Sequence, residues 1–137
     1  MTPGVFLSFF PLSYAALSDF RHRIIPDRTV FLIFACALLN VALGQVTLFS
    51  CVFGAAAIGG AILLAAGANM GIGGGDVKLC AALGALLGIE KMLLVLIAAL
   101  LSLIVSGKLQ KKTSLPFAPY VWGVFYILLA AEILQRR

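Results

Sequence analysis

Residues 71–88 read GIGGGDVKLCAALGALLG. Glycines, an aspartate and a lysine stand at the entrance of an apolar helix, and GIEK (88–91) separates that helix from a second apolar run. Whether these two runs are one membrane crossing or two decides the fold. The first, 77–89, holds thirteen residues, or ~20 Å at 1.5 Å per residue, short of a hydrocarbon core of ~30 Å. Fusing it with 92–106 into one long tilted helix would carry Glu90 and Lys91 to membrane depth. That costs roughly 2.5–3.5 kcal/mol for each ionised side chain near the bilayer centre. The chain is therefore expected to break at GIEK, with the membrane thinned there or the glycine stretch dipping into it.

Composition supports a membrane as the solvent. Of 137 residues, 63% are hydrophobic and 11% charged, and mean hydropathy is +1.14; soluble domains carry about 25% charged residues. Apolar segments fall near 3–18, 29–44, 46–67, 77–89, 92–106 and 117–134. They predict an all-α polytopic bundle of about six spans, with 1–137 as a single membrane-embedded domain and no room for a separate soluble one. The start, MTPGVFLSFFPLSYAALSDF, lacks the basic region and small-residue cleavage site of a secretory signal, so it is expected to be a retained first span. Cys36, Cys51 and Cys80 lie inside apolar runs without a C-x-x-C pair, which fits small buried side chains and neither zinc nor disulfides.

Lysine and arginine near span ends stay on the cytoplasmic side. The first, third and fifth connections hold Arg21, Arg23, Arg28, Lys78, Lys108, Lys111 and Lys112, against Lys91, Arg136 and Arg137 on the other side. Seven against three places the odd connections in the cytoplasm and both termini outside it. The net charge of +5 is then a topology signal, compatible with anionic lipid and needing no nucleic acid.

The same topology brings all three aspartates, Asp19, Asp27 and Asp76, to the cytoplasmic membrane edge, while Glu90 and Glu132 belong to the opposite face. Two carboxyl groups held close in a partly desolvated site do not both ionise cheaply. The charged one accepts a proton from water and the neutral one polarises or protonates a peptide carbonyl, so the pair hydrolyses an amide without metal or cofactor. Gly71, Gly73, Gly74 and Gly75 would let the backbone adopt conformations closed to other residues and approach an extended substrate.

Plainer readings stand beside these. Asp19 and Asp27 both fit helix caps flanking a basic turn, and for Asp27, after Pro26 and ahead of the second span, the N-cap reading is preferred. The glycine cluster taken alone fits a flexible loop, with Asp76 as its helix cap, equally well. Gly84 and Gly88 make a G-x-x-x-G groove for close helix packing. His22, in a loop among arginines, is expected to be solvated rather than a metal ligand. Lys78 would counter either lipid phosphate or the active-site charge; two residues from Asp76 on a helix it should point away from it, so the lipid role is preferred.

GIGGGDVKLCAALGALLG resembles the G-x-G-D-x-K-L motif of the prepilin peptidases, or type IV leader peptidases. SDFRHRIIPD (18–27) resembles that family's other aspartate segment, with Asp27 where Asn is usual, and LPFAPY (115–120) is similar to its Pro-Phe-Gly-Pro signature, with Ala118 in place of Gly. The resemblance implies a G-x-G-D membrane aspartic protease with Asp19 and Asp76 as the catalytic pair. Gly73, Gly74 and Gly75 would form the motif backbone that meets substrate, and Lys78, Pro26, Asp27, Pro116, Phe117 and Pro119 would support it. It also implies the peptidase-only branch without a methyltransferase domain, similar to enzymes of tight-adherence (Flp-type) pili. The expected function is removal of the basic leader of prepilin-like proteins at the cytoplasmic face of a bacterial or archaeal plasma membrane, in type IV pilus assembly or protein secretion. Its partners would be the prepilin-like substrate and membrane lipid. The alternatives are a small transporter or proton relay, which would place carboxylates nearer the midplane and show matching broken helices, and an inactive assembly partner.

Overall fold

Proline sets the shape of the first helical rod. In the computed structural model, which describes residues 3–67, 73–110 and 116–135, Pro3 opens α1 (Pro3–Leu7), where its missing N–H is no loss. Helix α2 (Phe9–His22) follows after Ser8. Pro11 lacks the N–H that would bond the Leu7 carbonyl, and its ring crowds that oxygen, so the helix is interrupted at Ser8 between the two. The ladder continues on either side, from the Ser8 N–H to the Gly4 carbonyl (2.9 Å) and from the Leu12 N–H to Ser8 (3.0 Å).

Arg23 ends α2 in the left-handed conformation, φ +54, with its N–H on the Asp19 carbonyl. The Ser18 hydroxyl holds the Ile24 carbonyl at 2.8 Å, which folds the chain back within four residues. Pro26 is extended and stands at the cap position of α3 (Asp27–Ala42) without any side-chain cap bond. Its carbonyl receives both the N–H of Thr29 at 3.0 Å and the Thr29 hydroxyl at 2.6 Å. The expectation that Asp27 caps this helix is corrected here. Asp27 is the first helical residue, and extended Pro26 already occupies the position from which a cap would act. His22 likewise lies in the last turn of α2 rather than in a loop.

Helix α4 (Leu48–Gly67) packs on α5 (Gly74–Gln110). A Cβ on Gly54 would strike the Gly84 carbonyl, and one on Gly84 would strike that of Gly54. A Cβ on Gly59 would lie 2.8 Å from the Ala81 Cβ. The small-residue groove read at Gly84 therefore exists, and its other half is on α4. Without a hydrophobic drive between helices in lipid, such close backbone approach is a main source of association. Helix α5 is interrupted once, at Gly88 (φ +76, ψ +171), a conformation suited to glycine. That is the start of GIEK, where the sequence predicts a break, and Glu90 and Lys91 beyond it are exposed.

Helix α5 is the axis of the bundle. It touches α1, α3, α4 and α6 (Ala118–Gln135), while α2 lies against α3 and α6. Leu12, Ile33, Leu79, Leu83, Met92, Val95 and Phe125 are fully buried where these helices meet. Phe10, Phe31, Phe49, Leu64 and Ile127 point outward, each largely exposed, an apolar exterior that water would penalise. The described residues form helices and no strands. By length and composition Gly74–Ser106 passes as a membrane-crossing segment, counted through the break at Gly88, and Leu48–Leu64 and Ala118–Ala131 are shorter apolar helices. Gly71, Lys111, Lys112, Arg136 and Arg137 lie outside the described residues.

Candidate active site

Asp19 lies on α2, one turn before the end, and only 6% of it is exposed. A buried carboxylate needs donors. One comes from the far end of the chain, where the Ala118 N–H donates to Asp19 Oδ2 at 2.9 Å. Ala118 is the first residue of α6, and the Phe117 carbonyl before it accepts the N–H groups of Tyr120 (3.1 Å) and Val121 (3.3 Å). Asp19 is thus a cap supplied in trans by α2, satisfying an amide that the first turn of α6 leaves orphaned. One turn further, Trp122 Nε1 donates to the Ser13 hydroxyl at 2.8 Å and locks the same two helices.

Asp76 is the third residue of α5 and is half-buried. The Gly73 carbonyl accepts the N–H groups of Asp76 (3.0 Å) and Val77 (3.4 Å), and the Gly73 N–H bonds back to the Asp76 carboxylate. This is the one half of a capping box that a glycine at the cap position permits, so the cap reading of Asp76 holds in part: it serves Gly73 from inside the first turn. It does not remove Asp76 from the site. Asp19 is near enough for its charge to act on Asp76, and both border one open cavity of about 370 Å³.

Gly73, Gly74 and Gly75 form one wall of that cavity and Arg23, Ile24 and Ile25 another. Among the described residues only Gly44 and Gly88 are glycines at positive φ. The conformational freedom expected of Gly73, Gly74 and Gly75 is therefore not what these three supply. What they supply is room. A Cβ on Gly75 would come within 3.2 Å of the Ile25 Cβ, whereas one on Gly74 would meet nothing within 4 Å. Ile25 thus closes on Gly75, and the backbone at Gly74 stays open to the cavity.

Asp27 and Lys78 complete the lining. The Lys78 ammonium lies 2.7 Å from Asp27 Oδ1. The contact joins the adjacent starts of α3 and α5, and of the two roles expected for Lys78 it fits the countering of charge at the site. Pro26, Pro116, Phe117 and Pro119 do not line the cavity. They shape the starts of α3 and α6, where a missing N–H is tolerated. The sequence reading missed Ala118 as the partner of Asp19 and Ile25 as the neighbour of Gly75. Pro119 just inside a helix start was the signal available for the first. Ala118 is buried and helical, so alanine in place of the motif glycine is no obstacle to that bond.

A family profile described as type IV leader peptidase matches residues 6–108. The chain belongs to the type IV leader peptidase family. The "Prepilin leader peptidase/N-methyltransferase" of Bacillus subtilis (strain 168) is 32% identical over 136 residues, covering 86% of this chain and 54% of the relative. The chain thus spans about half the length of that curated relative. No solved structure matches. The stretch matched to the leader peptidase family includes Asp19, Ile25, Asp27, Asp76 and Lys78, while Ala118 lies beyond it.

Proposed function

We propose that this chain is a membrane aspartic endopeptidase that removes the leader of prepilin-like proteins at the cytoplasmic face, with Asp19 and Asp76 as its acid–base pair. One observation carries the reading: two carboxyl groups from helices remote in sequence border a single cavity beside an open stretch of glycine backbone. The charged member of the pair takes a proton from water, whose oxygen attacks the scissile carbonyl carbon. The neutral member gives its proton to the carbonyl oxygen, and collapse of the tetrahedral species breaks the C–N bond as the departing amine is protonated. Extended substrate backbone pairs with the open main chain at Gly74, a mode in which main-chain bonds give affinity.

Six crossings with both termini outside the cytoplasm complete the proposal. The seven basic residues of the odd connections support that orientation, and the apolar exterior supports a lipid surround. The test is co-expression with a prepilin-like protein, followed by mass analysis of its amino terminus. Cleavage by the unaltered protein, absent from Asp19→Asn and Asp76→Asn variants that insert normally, is the expected result. An intact leader with the unaltered protein, across several candidate prepilins, would overturn it.

A further inference from the structure

Among the charged groups of the cavity, the Asp27–Lys78 pair has no part in the proposed water chemistry. It bridges the first turns of α3 and α5 at the cavity mouth, with Nζ 2.7 Å from Oδ1. Its members are 76% and 57% exposed, Asp27 the more so. An ion pair so open to water holds together weakly, with a median near 0–1 kcal/mol. It is therefore poor as a strap and easy to exchange. A carboxylate offers about four lone-pair sites, and a lysine on a flexible stem moves aside readily. Asp27 thus presents a carboxylate at the mouth of a cavity lined by three carboxyl groups, Asp19, Asp27 and Asp76, and two cations, Arg23 and Lys78; once Lys78 swings aside the carboxyl groups outnumber the one cation left, which favours an incoming cation over an anion.

We infer that Asp27 is a specificity-determining residue: it receives a lysine or arginine side chain of the bound peptide, and Lys78 is the internal competitor that the peptide's cation displaces. This rests on the endopeptidase reading only for the ligand's being a peptide. Displacing one ammonium by another leaves the charge count at Asp27 unchanged. A neutral or acidic side chain leaves Lys78 in place across the mouth and gains nothing. Exchange gives the two partners opposite signs. Asp27→Asn removes the receptor and weakens binding of basic peptides, while Lys78→Gln removes the competitor and strengthens it.

The experiment measures binding by fluorescence anisotropy in nanodiscs, using three labelled peptides that share an apolar helix and differ only in a leader Lys, Gln or Glu. The expected result is tighter binding of the Lys peptide by the unaltered protein, on the order of two- to fivefold as befits an exposed pair. Asp27→Asn should erase that preference and Lys78→Gln enlarge it. The exchanged variant Asp27→Lys/Lys78→Asp keeps a pair across the mouth and should shift the preference toward the carboxylate now at position 78, lowering discrimination or moving it to other leader positions. Equal binding of all three peptides by the unaltered protein overturns the inference. So do shifts of the same sign in Asp27→Asn and Lys78→Gln, the pattern of a merely structural strap. Cleavage of the same peptides, read in parallel, tests the endopeptidase reading separately.

Discussion

Asp19 does two things that one substitution can separate. Its Oδ2 accepts the Ala118 N–H, and in the proposed mechanism its carboxyl group exchanges a proton. Asp19→Ala abolishes both. The Ala118 amide, fully buried, is left without an acceptor at a cost of about 1–3 kcal/mol. Asp19→Asn keeps an oxygen of the same size and reach, so only the charge at the start of α6 is lost, worth about 0.3–1 kcal/mol. Both should lower leader cleavage by at least the ~10²–10⁴ of a missing acid or base. The protein supplies its own reporter of folding, since its one tryptophan is Trp122 on α6, hydrogen-bonded to Ser13 on α2. Denaturation in detergent followed by Trp122 emission should place Asp19→Asn near the unaltered protein and Asp19→Ala well below it, with cleavage per folded molecule abolished in both. Substantial cleavage by Asp19→Asn would reduce Asp19 to a cap. An Asp19→Asn as unstable as Asp19→Ala would refute the claim that one amide oxygen replaces Oδ2.

Asp76→Asn should abolish cleavage as well, and the double Asn variant should be little worse than either single one, because groups acting as a unit are strongly non-additive; multiplied losses in single-turnover rates would argue against a pair. Gly54→Ala drives a Cβ into the Gly84 carbonyl, backbone against backbone, and should destabilise the α4–α5 contact by about 1–3 kcal/mol. Gly60→Ala, which meets nothing within 4 Å, should be neutral or stabilising by up to ~1 kcal/mol in the same denaturation assay. Gly75→Ala pushes on Ile25 at 3.2 Å and should cut cleavage more than it cuts stability, measured as activity per folded protein. Single cysteines introduced near Lys111 should react with impermeant reagents only from the cytoplasmic side, and labelling from outside would invert the proposed topology.

Helix limits were legible because they depend on local chemistry. The apolar segments predicted at 29–44, 46–67 and 117–134 became α3, α4 and α6 with shifts of about two residues or fewer, and Gly88 broke α5 where the cost of burying Glu90 and Lys91 required it. Pairings across the chain were not legible. Periodicity marks Gly84 as a small-residue position, but nothing in it names Gly54 as the partner. Asp27 looked like a cap because Asp before a helix so often is one, and only the tertiary fold shows Lys78 within reach to claim its carboxylate. Asp19 to Ala118 spans most of the chain, and no window along the sequence contains both. The site residues were recognisable by type and motif, whereas their partners required the bundle.

The choice between helix cap and catalyst for the aspartates rests on an opposition that the fold dissolves. The chain has three aspartates, and each stands at the start of a helix: Asp27 opens α3, Asp76 lies in the first turn of α5, and Asp19 reaches across to the first amide of α6. Helix starts expose unbonded N–H groups and a partial positive charge of about half an elementary charge. Three of them meeting at one end of an apolar bundle make a place where carboxyl groups can be partly buried at reduced cost. The capping bonds hold Asp19 and Asp76 in position yet use only part of each carboxylate's capacity of about four lone-pair sites. Both residues also border the cavity, so in the proposed mechanism the same side chains combine a fixed geometry with an edge left for proton exchange, the two properties that general acid–base catalysis requires of a pair.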